Sequence, residues 1–221
     1  MTDLDLRKNV ESELHWEASV DAAEIEIASK AGVVTLSGSV QSYWERTAAE
    51  QATLRVFGVK AIANELEIRL PYASERTDED IARAAVDSLN WSVLVPKDRI
   101  KIKVSKGWIT LEGTVDWQFQ KTAAEKAVRK LIGVKGVSNL VDVKPQVSKV
   151  EVKATIEAAL KRSAELDANR IKVETDGDKV ILTGTVHSLF EREEAERAAW
   201  KALGVRSVDN RIKVGEIAVA A

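Results

Sequence analysis

The chain has 221 residues, 45% of them hydrophobic and 31% charged, and carries a formal net charge of −2. This balance suits ordinary globular packing and lacks the basic surplus expected of a nucleic-acid binder. With no cysteine, disulfides, thiolate catalysis and cysteine-based zinc sites are excluded, and no apolar run reaches the length of a membrane span. The opening MTDLDLRKNVESELHW has no cationic stretch leading into an apolar one, so the expected location is the cytoplasm.

A repeat organises everything else. Gly38, Gly113 and Gly184 are each followed twenty residues later by Gly58, Gly133 and Gly204, and six residues further by Asn64, Asn139 and Asn210. Three units follow, at 1–70, 77–144 and 148–215. Units this small bury limited cores, so contact between them or with a partner is expected, self-association included. Charge divides unevenly, with seven basic against twelve acidic residues before position 75 and thirteen against ten from 75 to 146.

Each unit opens on a capping box: Thr2 with Asp5, Thr77 with Asp80, Ser148 with Glu151. Apolar residues then recur at helical spacing, as Leu6, Val10, Leu14; Ile81, Ala85, Leu89; and Val152, Ile156, Leu160. Alternation takes over in a first strand (Ile25, Ile27; Ile100, Ile102, Val104; Ile171, Val173). A turn at Lys30-Ala31-Gly32, Lys106-Gly107 or Asp176-Gly177-Asp178 makes a hairpin with a second strand. Its inward residues are Val34, Leu36, Val40; Ile109, Leu111, Val115; and Val180, Leu182, Val186.

Gly38, Gly113 and Gly184 share that inward face, opposite an Ala-rich second helix (Ala48, Ala49, Ala52; Ala123, Ala124, Ala127; Ala195, Ala198, Ala202). The expectation is that they let the helix sit close to the sheet. Gly58, Gly133 and Gly204 are expected to cap that helix. A closing strand follows, with Leu66, Ile68; Val141, Val143; and Ile212, Val214 inward. The fold class is α+β: three tandem α-β-β-α-β sandwiches, each with its helices on one face of a three-stranded sheet. The linkers, Pro71 to Arg76 and Pro145 to Val147, are too short and stiff for flexible tethers, and Gly215 to Ala221 reads as a fraying tail.

This pattern resembles the BON domain. The resemblance rests on Gly32-Val33-Val34-Thr35-Leu36-Ser37-Gly38-Ser39-Val40 with Gly58-Val59-Lys60, and on Gly107-Trp108-Ile109-Thr110-Leu111-Glu112-Gly113-Thr114-Val115 with Gly133-Val134-Lys135. The third copy, Asp178-Lys179-Val180-Ile181-Leu182-Thr183-Gly184-Thr185-Val186 with Gly204-Val205-Arg206, has Asp178 in place of the first glycine. The resemblance implies a stress-associated, non-enzymatic bacterial module, with contact to phospholipid or to protein partners. It also implies a periplasmic alternative for location, and links to transport. A cytoplasmic relative that senses potassium makes an ion sensor the alternative function.

The inventory of chemical groups agrees with a non-enzyme. His15 and His187 occupy non-equivalent repeat positions, and no phosphate-binding loop is present, so no catalytic residue, metal ligand or cofactor is assigned. Backbone carbonyls can still hold K⁺ without a readable motif. Gly133-Val134-Lys135-Gly136 mimics a nucleic-acid G-x-x-G clamp, but the other copies lack its last glycine, so no nucleic acid is expected.

The outward sheet face carries more information. Equivalent positions hold Glu24 and Glu26 in the first unit, Arg99 and Lys101 in the second, and Arg170 and Lys172 in the third. Arg99, Lys101, Lys103 and Trp108 form the candidate surface, suited to an anionic lipid headgroup, with a merely solvated sheet face or docking on the acidic stripe as the alternatives. Trp16 and Trp91, equivalent at the end of the first helix, are expected to pack on the following loop or a neighbouring unit, and Trp44, Phe119 and Phe190 to be core.

Overall fold

The structure, a computed structural model, describes residues 2–71, 74–144, 152–162, 170–202 and 204–215. In chain order the elements are α1 (Asp3–Trp16), β1 (Ile25–Lys30), β2 (Val33–Val40), α2 (Tyr43–Arg55), β3 (Ala61–Asn64) and β4 (Glu67–Ile68). The second repeat gives α3 (Asp78–Trp91), β5 (Ile100–Ser105), β6 (Trp108–Val115), α4 (Gln118–Val128) and β7 (Gly136–Val143). The third gives α5 (Val152–Arg162), β8 (Ile171–Asp176), β9 (Lys179–Val186), α6 (Leu189–Trp200) and β10 (Ser207–Val214).

The capping boxes at Thr2 and Thr77 form as the residue types dictate: Thr77 Oγ1 accepts from Asp80 N and donates to the Asp80 carboxylate at 2.6 Å. The third box, Ser148 with Glu151, lies outside the described residues. The hairpins turn through two residues, since Lys30 pairs with Val33 and Ser105 with Trp108. Ala31, Gly32, Lys106 and Gly107 all have positive φ, the requirement of a type I′ turn. The first residue of helix one secures that turn. Both Asp78 carboxylate oxygens accept at 2.8 Å, from Lys106 N and Gly107 N, and Asp3 accepts from Ala31 N at 2.9 Å.

In every repeat the second strand is central. It runs antiparallel to the first and parallel to the last, with α2, α4 or α6 as the crossover between parallel neighbours. The expected inward side chains are buried: Val34, Leu36, Ile109, Leu111, Val180 and Leu182 have no measurable exposure. Ala49, Ala52, Ala124, Ala195 and Ala199 close the helix-two side of the cores. By packing, the chain divides into two units. One combines most of repeat one with repeat three, and the other combines residues 39–47 with repeat two.

Several expectations need correcting. Gly38, Gly113 and Gly184 do not serve the approach of helix two. A Cβ on them would meet the carbonyl oxygens of Glu24, Arg99 and Arg170 at 2.0, 2.1 and 2.0 Å, and their φ values are +107°, +145° and +141°. The cause is the neighbouring strand, whose first residue (Ile25, Ile100, Ile171) is the register partner of the glycine.

Gly58, Gly133 and Gly204 have φ near +90°, yet helix two has already ended three to five residues earlier, at Arg55, Val128 and Trp200. In the first two repeats a further tight turn intervenes (Val59 N to Val56 O, Val134 N to Leu131 O), and the glycine belongs to that turn. Trp16 and Trp91 are 84% and 88% exposed, so neither is buried under the following loop or a neighbouring unit among the described residues. Trp44 and Phe190 are half-buried and Phe119 is 53% exposed, so that aromatic position lies at the surface of the helix start, outside the core.

Asn64, Asn139 and Asn210 have a clear role that spacing alone did not disclose. Each Nδ2 donates to a glutamate on helix two fourteen residues earlier (Glu50 at 3.0 Å, Glu125 at 3.1 Å, Glu196 at 3.1 Å). Each Oδ1 accepts the backbone N–H two residues on, from Leu66, Val141 or Ile212. The pair ties the last strand to the helix before it. The readable signal was the Glu fourteen positions before each Asn, present in all three copies.

Candidate functional surfaces

Two surfaces of repeat two stand out, and both follow from local structure. On its sheet the inward set alternates strictly with an outward set. The register places Lys101 opposite Glu112 and Leu140 beyond it, Lys103 opposite Thr110 and Ser138, and Trp108 beside Gly136. The Trp108 indole lies across Gly136, where a Cβ would fall 2.4 Å from its ring, and its Nε1 donates to Ser138 Oγ at 2.8 Å. The ring is thus held flat and remains 45% exposed. This contact also explains Gly136, and with it the G-x-x-G spelling, without nucleic acid.

Of the four predicted residues, Lys101, Lys103 and Trp108 share this outer face. Lys101 and Lys103 have no ion pair among the described residues, and Leu140 adds exposed apolar area. Arg99 departs from the group, because its Nη1 donates to both oxygens of Asp116, at 3.2 and 3.3 Å. The other sheets differ. Glu26 faces outward opposite Ser37 on the first sheet. On the third sheet, Lys172 lies opposite Thr183 and Arg211, and Arg170 Nη1 is 3.5 Å from His187 Nε2. There Asp209 takes both Arg211 (2.8 Å) and Lys179 (3.0 Å). Those two cations, Arg211 foremost, hold the Asp209 carboxyl down to about 2. On the third face one carboxylate, Asp209, thus ties down two cations.

The second surface lies at the end of helix one. α3 stops at Trp91, and the loop is anchored by buried Val95, as Val20 anchors its counterpart in repeat one. Between the helix end and that anchor, Val93 is 97% exposed and Leu94 projects beside it. Trp91, Val93 and Leu94 therefore form an apolar tip, with Lys97 following in the loop. In repeat one the equivalent residues are Trp16, Ala18 and Ser19, so the three-residue tip belongs to repeat two alone among the described residues. The sequence held this signal in the run Trp91-Ser92-Val93-Leu94, but exposure decides its meaning.

Among the described residues no group of three or more His, Asp or Glu side chains could hold a metal ion, and no helix is long and apolar enough to cross a membrane. His15 Nδ1 lies 2.8 Å from the Glu11 carbonyl, and the His187 ring lies 5.8 Å from that of Phe57.

Comparison with known proteins decides the family. The BON domain model matches residues 2–69, 77–145 and 148–216. The chain belongs to the BON domain family. Osmotically-inducible protein Y of Escherichia coli (strain K12) is 29% identical to this BON chain over 142 residues, which cover 60% of the chain and 68% of the relative. Among solved structures, CdsD, a structural protein of the Type III secretion system of Chlamydia trachomatis, matches at 14% identity with a TM-score of 0.28, over 97% of this chain and 94% of that one.

Proposed function

We propose that this BON chain is a non-enzymatic binding protein that adsorbs reversibly to anionic phospholipid surfaces through repeat two. The name of its Escherichia coli relative suggests a setting of osmotic stress. One observation carries the reading: the tip of Trp91, Val93 and Leu94 is presented to solvent at the end of a capped helix. An exposed apolar cluster on a folded domain marks a contact surface, and an indole suits the boundary between headgroups and acyl chains. Burying such side chains contributes about 1.5–3 kcal/mol each. Each of Lys97, Lys101 and Lys103 adds about 1 kcal/mol if it lies near an anionic surface. The sum suits adsorption and release rather than insertion.

Vesicle flotation tests this. Binding is expected with phosphatidylglycerol vesicles, absent with phosphatidylcholine alone, and weaker as salt shortens the Debye length. The double variant Trp91→Ser, Val93→Ser should abolish it. Lys101→Glu with Lys103→Glu should weaken it if the sheet face also takes part. Equal binding to neutral and anionic vesicles, or binding indifferent to the tip variant, would overturn the proposal.

A further inference from the structure

Helix two makes two contacts with a repeat other than its own, and both use the same elements. In one, the end of α4 meets the start of α2: Lys130 Nζ is 4.2 Å and the Arg129 guanidinium 4.9 Å from the centre of the Trp44 ring. Tyr43 beside it packs on the repeat-two core. In the other, α2 and the turn after it meet the start of α6: Phe57 lies against His187, and Gln51 hydrogen-bonds Glu193. Each time, the second helix of one repeat, or the turn that follows it, meets the start of another's.

Three repeats offer three starts and three ends. The starts of α2 and α6 are occupied as described. The start of α4 carries Trp117 stacked on Phe119 (6.4 Å, 26°), with Phe119 exposed and no cation or further ring against the pair among the described residues. The ends differ likewise. In repeat one Arg55 is committed to Glu13 (2.8 Å) and Glu17 (3.0 Å), and in repeat two Lys130 covers Trp44. In repeat three the position equivalent to Lys130 is Lys201, which is exposed and has no ion pair among the described residues. One aromatic seat and one cation are left over, and they are the chemical halves of the Trp44 contact.

We propose that Trp117 and Phe119 form a docking seat for a second copy of this chain, which presents the end of its α6 with Lys201 over the Phe119 ring. The contact is head-to-tail, because seat and cation lie on different repeats, so assembly can continue beyond a dimer.

Sedimentation across a wide concentration range tests this with the full chain. Wild type should associate progressively. Phe119→Ser, at an exposed position, and Lys201→Glu, at a helix end, should each weaken association by about tenfold or more. Circular dichroism should report both as folded. The decisive arm mixes the two variants. One retains only a cation and the other only a seat, so the mixture should form 1:1 heterodimers and nothing larger. A wild type that stays monomeric throughout overturns the proposal. So does association indifferent to both variants, or a mixture that grows past the heterodimer.

Discussion

Gly184 and Gly177 lie in the same repeat, both at positive φ, and only one is crowded. A methyl at Gly177 (φ +61°) meets nothing within 4 Å, so Gly177→Ala should cost only the left-handed backbone penalty, about 1–2 kcal/mol. At Gly184 (φ +141°) the same methyl would fall 2.0 Å from the Arg170 carbonyl oxygen, a backbone atom that cannot swing aside. There the strain of about 1–3 kcal/mol joins an overpacking cost of about 1–3 kcal/mol. The gap between the two variants should be about 3 kcal/mol, which in a protein of this size separates their melting temperatures by roughly 6–12 °C. Thermal unfolding followed by calorimetry measures it directly. If Gly184→Ala melts no lower than Gly177→Ala, the strand carbonyl is not what demands the repeated glycine. The original idea of a close helix would then return, and Ala195→Gly and Ala199→Gly would be its test.

Other expectations concern polar ties. Asn139→Ala removes two donated bonds and one accepted bond at a half-buried site, and should destabilise by about 2 kcal/mol in chemical unfolding. Asn139→Asp should cost more at neutral pH, because it sets a carboxylate against Glu125, and the difference should shrink in acid. Asp78→Ala frees the Lys106 and Gly107 amides of the hairpin turn, so their hydrogen exchange should accelerate more than that of the β6 interior. Burial foremost, then Glu50 and Glu196, raises the Glu193 carboxyl above its ordinary 4.5 against the opposing pull of Arg197 and Gln51. The native state therefore keeps a proton that the unfolded chain has lost, and stability falls as pH climbs from 4.5 through the raised value. Glu193→Gln should be more stable than the parent at neutral pH and should lose that advantage below about pH 4.5.

The sequence disclosed the architecture because repetition and periodicity are local. The alternation of Val34, Leu36 and Val40 against the spacing of Leu6, Val10 and Leu14 settles strand from helix without tertiary information. It misread what needed a partner in space. A glycine on an inward strand face looks like room for a helix until the Arg99 carbonyl is seen beside Gly113. Arg99, Lys101 and Lys103 look like one stripe until Asp116 is found holding Arg99. Trp91 was expected to pack because large aromatics usually do, and only the loop anchored at Val95 reveals that it stands free. The seat at Trp117 and Phe119 was invisible, since it acquires meaning only by comparison with the contact made at Trp44.

The central placement of β2, β6 and β9 has a kinetic corollary. These strands are bonded to a neighbour on both sides, whereas β1, β5 and β8 each pair with a single strand among the described residues. Backbone deuteration should therefore proceed in a periodic pattern along the chain. Three protected stretches, each containing one signature glycine, should be separated by faster first strands and hairpin tips. The last amides to exchange would report the innermost scaffold of each repeat. A bound surface or second copy would then appear as a departure from that threefold rhythm, confined to the repeat it touches.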